Sequence, residues 1–282
     1  MFPVDDYIRA QLDKYLGQLE TSLDADGMAI ISPIIPGLDS LVRRAIEQFS
    51  SPRPRIAIIL DTPGGVTEVV ERIVESIRHF YKDMTVVVPD RAMSAGTIFA
   101  LSADHIMMDY FSVLGPIDPQ IERDGKLVPA LSYLNEFERL NEKASAGQLT
   151  TAEYALLNKL DLGELFQFKQ ASELSNELLI KWLTNYKFKD WSKTETRGIP
   201  VTEEMKCARA EKIANDLNNT ERWHSHGRGI DLNTLRGELQ LKIEDYSTND
   251  ELKDMIRGYF ELLRDYLNRQ QLHTFVHTRE HF

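Results

Sequence analysis

The spacing of apolar residues along this chain predicts strands alternating with helices. Residues 56–60 and 85–88 are short β-branched runs, the pattern of strands buried on both faces. Between them, residues 66–81 carry Val69, Val70, Ile73, Val74, Ile77 and Phe80 at helical spacing. A strand–helix–strand unit of this kind implies a right-handed crossover and a parallel sheet. Upstream, residues 5–23 read as a helix with Ile8, Leu12, Tyr15, Leu16 and Leu19 on one side. Residues 29–35 read as a strand closed by Pro36-Gly37, and 38–49 as a helix. Downstream come a helix over 95–102, a strand over 105–108 and a turn-rich loop over 110–120.

From 128 to 186 the pattern is helical with no strand signal. Helices are expected over 129–142, from 151 to 157 with Thr150 or Thr151 as cap, and over 162–186. A polar loop over 187–200 precedes a helix over 201–217 and a dense polar-aromatic loop over 222–230. A short helix (232–237), a strand (239–243) and an amphipathic helix (249–267) capped by Asn249 complete the chain. There is no internal repeat and no low-complexity segment. The expected architecture is one α/β domain over residues 1–282. It consists of an amino-terminal helix (1–25), an α/β core (26–125), a mainly helical excursion (126–220), a return to the core (221–246) and a carboxyl-terminal helix and tail (247–282).

Composition narrows the function classes. The chain has 282 residues, 42% of them hydrophobic, enough for one sizeable core. Its formal net charge of −11 argues against general nucleic-acid binding. The single cysteine, Cys207, excludes an intramolecular disulfide and fits a reducing compartment. No apolar run approaches the ~18–20 residues of a membrane span. The acidic, amphipathic start lacks the pattern of a signal peptide, so a cytoplasmic protein is expected.

Two stretches carry chemistry. Leu60-Asp61-Thr62-Pro63-Gly64-Gly65 ends one predicted strand, and Ala92-Met93-Ser94-Ala95-Gly96 follows the next. Both leave carboxyl ends of neighbouring strands, where parallel sheets place ligand sites. Small-x-Ser-x-Gly between a strand and a helix has the form of a nucleophile turn, with Ala92 in place of the usual first glycine. The helix after Ser94 and the Gly64-Gly65 pair would both offer backbone N–H groups to an oxyanion, which is what acyl transfer needs. The competing reading is a tight glycine turn and an N-capping serine.

The sequences LDTPGG, MSAGT and LGPIDPQ resemble the Clp-protease/crotonase superfamily. They look most like its serine dehydrogenase proteinase branch, related to signal peptide peptidase A. The resemblance is strong over residues 29–118, and the fold is expected to continue to about residue 245. It implies a Clp/crotonase-like (ββα) superfold with a helical insertion and terminal helices. It also implies Ser94 as nucleophile, the amides of Gly64 and Ala95 as oxyanion hole, a peptide or protein substrate, no cofactor and a homo-oligomer. The end helices would cover the core or bury subunit contacts. Alternatives are a crotonase-type acyl-CoA enzyme and a non-catalytic oligomeric scaffold that kept the turn.

The base is open at this stage. Clp proteases place a histidine about 25 residues after the serine, and here Asp118 stands near that point. Signal peptide peptidases use a lysine 40–50 residues after the serine, near a helix start. Lys126 is expected to begin the helix after LGPIDPQ; Lys143 lies at a helix end among charges, and Lys159 within an apolar pattern. A lysine serves as base if burial lowers its pKa. His105 falls inside a strand and is expected to point away from the turn or into the core. The loop Trp223-His224-Ser225-His226-Gly227-Arg228 stands where Clp proteases carry their triad aspartate. His226 or His224 is therefore a second class of base, with Gly65, Asp118 and His224 as supporting or substrate-lining residues. The same loop could be purely structural, its histidines bonded to backbone and Trp223 packed. Two histidines at i, i+2 suggest a metal only if a third ligand joins them, and none is evident. Lys126 is the preferred base, with the 224–226 loop lining the substrate cleft.

Overall fold

A computed structural model describes residues 3–123, 126–194 and 197–282, without the side chains of residues 3 and 121–129. Helix α1 (Pro3–Leu23) leads into β1 (Asp26–Ile31). Then follow α2 (Leu38–Glu47), β2 (Arg55–Asp61), α3 (Thr67–Phe80) and β3 (Asp83–Val87). The two-residue strand β4 (Arg91–Ala92) precedes α4 (Ala95–Leu101), β5 (His105–Met108) and β6 (Val113–Leu114). A hairpin, β7 (Gln120–Arg123) and β8 (Lys126–Pro129), opens the excursion. Its helices are α5 (Ala130–Ser145), α6 (Thr151–Leu157), α7 (Leu162–Trp182) and α8 (Glu203–Asn218). The chain returns through α9 (Thr220–Trp223), β9 (Ile230–Asp231), α10 (Leu232–Gly237) and β10 (Glu244–Asp245). It ends in α11 (Asp250–Gln270) and β11 (Phe275–His277).

The main sheet has the order β10-β5-β3-β2-β1-β11, parallel except for β11. Side chains alternate across a strand, so β2 feeds two layers. Ile56, Ile58 and Leu60 join the apolar layer that holds α2, α3, α4, α7 and α8. Ile59 joins the layer built with Leu12 and Leu16 of α1 and Ile256, Tyr259 and Leu263 of α11. Both faces are covered, which is why β2 reads as an unbroken apolar run. The end helices are thus used to cover the sheet. No helix among the described residues is long and apolar enough to cross a membrane.

Four local expectations differ from the structure. The strand expected over 239–243 lies instead at β10. Leu239, Leu241 and Ile243 are buried and alternate, but Gln240 has a left-handed φ of 49° that breaks the extended backbone. Arg236 donates to the freed Ile243 carbonyl at 2.6 and 2.9 Å in place of a ladder partner. Lys126 begins a strand, not a helix. The pair Asp124-Gly125 between β7 and β8, favoured in two-residue hairpin turns, carried that signal in the sequence. The helix expected over 162–186 is α-helical only to Trp182 and continues as a π-helical turn, Leu183–Lys187. The tail adds an antiparallel edge strand to β1, pairing Val276 with Ile30.

The amino-terminal edge of the sheet is pinned by Asp104, whose side chain is 1% exposed. It accepts hydrogen bonds from Arg78 Nη1 (2.7 Å), Lys189 Nζ (2.5 Å) and the Met84 amide (2.7 Å). Burial pushes the carboxyl up, but those partners together outweigh it and hold the pKa below its ordinary value. A depressed carboxyl stabilises the fold above the unfolded-state pKa and loses that contribution as pH falls through the folded-state value. Asp104→Asn is therefore expected to cost ~3 kcal/mol in urea unfolding at pH 7, because it strands the half of the pair on Arg78. The gap from wild type should narrow below about pH 4.

Candidate active site

The serine turn and the glycine turn are joined by backbone. The Thr62 amide donates to Arg91 O at 3.0 Å, and the Met93 amide donates to Thr62 O at 3.0 Å. This parallel bridge continues β2 beside β4 and sets the two turns next to each other. Ser94 then adopts φ 53° and ψ −120°, a left-handed conformation that is rare for a residue with a Cβ. It stands at the N-cap of α4, yet its side chain makes no capping hydrogen bond. The N-cap explanation of this serine therefore fails, and the strained turn leaves Oγ without a partner among the described residues.

Gly64 and Gly65 are required where they stand. Their φ values are 97° and 150°. A methyl group on Gly64 would lie 2.5 Å from Met93 O and 2.8 Å from Ser94 Cβ, and one on Gly65 would lie 2.1 Å from Ile34 O. The Gly64 carbonyl accepts from the Ile34 amide at 2.9 Å, and the Gly64 amide donates to Thr62 Oγ1 at 3.1 Å. Among the described residues, the Gly65 and Ala95 amides have no such partner.

A second small sheet, β4-β6-β9, gathers the remaining groups. Ala92 pairs with Leu114 in parallel, and Leu114 pairs with Ile230 in antiparallel. Ser94, the loop after Leu114 and the loop before Ile230 therefore emerge at the same end. The Thr97 hydroxyl stitches two of them, lying 2.8 Å from Ala92 O and accepting from the Gly115 amide at 2.8 Å. Three residues beyond Gly115, the side chain of Asp118 is 2% exposed. Its Oδ1 lies 2.9 Å from Nδ1 of His226, and its Oδ2 accepts from Gln120 Nε2 at 2.8 Å. With Nδ1 turned to a carboxylate, the imidazole presents Nε2 as its basic nitrogen. Nε2 has no hydrogen-bond partner among the described residues.

The other sequence candidates go elsewhere. The side chain of Lys126 lies outside the described residues. Lys143 is paired with Glu153 at 2.6 Å beside the α6 capping box, and Lys159 is exposed. His105 pairs with Glu244 at 3.2 Å at the amino-terminal edge of the sheet, opposite the serine. A lysine that the sequence did not mark, Lys187, is pushed down to about 8 by burial. Its Nζ donates to Asp104 O at 3.1 Å, so it too belongs to the opposite edge. His224 is exposed with φ 61°. It shares with Asp118, Ser132, Glu221, Trp223 and His226 the lining of a cavity of about 190 Å³. Trp223 is packed, and its Nε1 donates to Asp216 O at 2.7 Å. No cluster of three or more metal-ligating side chains occurs among the described residues.

Residues 33–202 match the family described as ClpP-like SDH-type serine proteinase. Two uncharacterised proteins of Methanocaldococcus jannaschii are similar. One is 34% identical over 157 residues, 56% of this chain and 49% of that protein. The other is 33% identical over 155 residues, 51% and 52% of the two chains. The chain thus spans about half the length of the curated relatives it matches. Two solved structures of a 1510-N membrane-bound stomatin-specific protease are also similar. A serine-to-alanine mutant covers 79% of this chain and 80% of that one at 15% identity, with a TM-score of 0.44. A lysine-to-alanine mutant in complex with a substrate peptide covers 77% and 72% at 15% identity, with a TM-score of 0.42.

Gly64→Ala and Gly65→Ala should each lower stability by roughly 2–4 kcal/mol, because positive φ and backbone overlap act together. Gly37 also has positive φ, 99°, but open space around it. Gly37→Ala should cost only about 1 kcal/mol. Thermal melts of the three variants check the ordering.

Proposed function

We propose that this chain, which belongs to the family of ClpP-like SDH-type serine proteinases, is a serine peptidase with Ser94 as nucleophile and His226 as base. The observation that carries the reading is the contact of buried Asp118 with half-buried His226, on loops that the β4-β6-β9 sheet brings to the end where Ser94 sits on its strained turn. Ser94 Oγ attacks the substrate carbonyl carbon and passes its proton to His226 Nε2. Asp118 holds the ring and stabilises the imidazolium. The tetrahedral oxyanion accepts hydrogen bonds from the Ala95 amide and a glycine-turn amide. The Gly64 amide implied by family resemblance is engaged by Thr62 Oγ1, so we place that second donor at Gly65. His226 returns its proton to the leaving amine as the C–N bond breaks, leaving an ester on Ser94. A water deprotonated by His226 then hydrolyses the ester.

Aspartate and histidine stand exchanged relative to the Clp pattern. Asp118 occupies the place of the Clp histidine, and His226 lies near that of the Clp aspartate. Without a base, the turn would suit a scaffold without chemistry. A buried carboxylate paired with a histidine supplies the missing base and favours the enzyme.

A serine-directed phosphonate should label wild type and not Ser94→Ala. His226→Ala should lower the acylation rate ~10⁴-fold and Asp118→Asn by ~10²–10⁴-fold, while Lys126→Ala stays within about threefold of wild type. Loss of labelling in Lys126→Ala with retention in His226→Ala would replace the histidine by the lysine.

The homo-oligomer that the resemblance implies is proposed on surfaces other than the sheet-facing sides of α1 and α11, which are buried. Light scattering should give a mass that is a multiple of 32.4 kDa. A species of that single mass at micromolar concentration contradicts assembly.

A further inference from the structure

The two turns of the proposed site are each preceded by an aspartate, and one arginine from the far layer touches both. Asp61 is the last residue of β2, directly before Thr62-Pro63-Gly64-Gly65. Asp90 directly precedes Arg91 of β4 and so opens the path to Ser94. Arg264 of α11 places Nη1 2.8 Å from Asp61 Oδ2 and 3.3 Å from Asp90 Oδ2. Both carboxylates thus converge on a single nitrogen, immediately before the Thr62–Ala92 bridge that joins the turns.

We infer that Arg264 is a positioning residue for the reaction proposed above, clamping the glycine turn and the serine turn at their working separation. Asp61 is only 6% exposed, and its Oδ1 has no hydrogen-bond partner. A buried carboxylate in that state is costly, and the guanidinium is the group in contact that offsets the cost. Without the cation between them, Asp61 and Asp90 repel each other across the start of the bridge. The repulsion acts directly on the spacing of Gly64, Gly65 and Ser94, where an error of about 1 Å can cost ~10²-fold in rate.

The rest of α11 supports this role. Ile256, Tyr259, Leu263 and Leu267 fix the helix to the sheet through the apolar layer shared with α1. Arg257, seven residues earlier and so on the same side of the helix, bonds Asp109 at the carboxyl end of β5 at 2.5 Å. The helix is therefore keyed to strand ends at two points, and Arg264 is the one that reaches the turns. The charged groups around Asp61 are Arg264 from α11, Asp90 from the β3–β4 connection and Arg91 from β4. Burial pushes the Asp61 carboxyl above its ordinary value, opposed by Arg264 and reinforced by Asp90. Removing the guanidinium raises it further, so in a variant without it acid protonates Asp61 and ends the repulsion with Asp90 at higher pH than in wild type.

The inference rests on the serine-peptidase reading, and the test separates the two. Phosphonate labelling of wild type, absent in Ser94→Ala, first establishes the reading. Arg264→Gln should then lower kcat about 10- to 100-fold with KM within about twofold. That loss relative to wild type should shrink on acidification, as Asp61 takes up a proton and its repulsion with Asp90 ends. Arg264→Lys should recover most of kcat at neutral pH, since a cation returns to the same place. If Arg264→Gln does not fold, Asp61→Asn combined with Arg264→Gln removes the buried unpaired charge. That pair, unclamped but free of repulsion, should show a native melting transition and a smaller loss in kcat, about 3- to 10-fold. A folded variant lacking the guanidinium, with wild-type kcat at neutral pH, overturns the inference alone. A wild-type protein that takes no label on Ser94 overturns both.

Discussion

The bridge between Thr62 and Ala92 is the contact on which the rest of the site depends. Two backbone hydrogen bonds of 3.0 Å bring a glycine turn from one strand against a serine turn from another. That approach leaves no room for a Cβ at Gly64 and forces Ser94 into positive φ. The strain is held by what surrounds it: the Thr97 hydroxyl, the Gly115 loop and the apolar layer around Ile98 and Phe99. A turn so constrained exposes a hydroxyl and unengaged amides at one spot. That is the arrangement an acyl-transfer site uses, and it costs stability wherever it occurs.

Electrostatics follow from the same geometry. The parallel strands end in aspartates, Asp61 on β2 and Asp109 after β5, with Asp90 after β3. The carboxyl-terminal helix answers them with Arg257 and Arg264. Asp118 differs, because among the described residues no guanidinium or ammonium is bonded to it. Its partners there are an amide and an imidazole. Of these carboxylates it is the one bonded to an imidazole and not to a guanidinium that anchors a helix. Of the four, Asp61, Asp90 and Asp109 are matched by arginine and Asp118 by histidine.

Much of this was legible in the sequence. The β-branched runs of β2 and β3 and the helical spacing of Val69, Val70, Ile73, Val74 and Ile77 identified the parallel core, because both faces of those strands are buried. Gly64, Gly65 and Ser94 stood out because backbone geometry restricts which residues tolerate such turns. The proposed base was less legible. Asp118 and His226 lie 108 positions apart and meet only through β6 and β9, strands of two residues each that carry almost no local signal. Alternation at Leu239, Leu241 and Ile243 misled because burial alone imitates a strand. The Arg264 clamp had no sequence signature, since an arginine on an amphipathic helix looks like a solvated side chain until its partners are in view.

Whether the proposed Asp118–His226 pair acts on Ser94 can be read from nitrogen NMR of histidine-labelled protein. Phosphonylation of Ser94 places a negatively charged oxygen where the tetrahedral intermediate would form. The His226 ring should then become doubly protonated. Nδ1–H should remain bonded to Asp118, and the His224 resonances should stay essentially unchanged. A His226 spectrum that is the same before and after modification of Ser94 would contradict it.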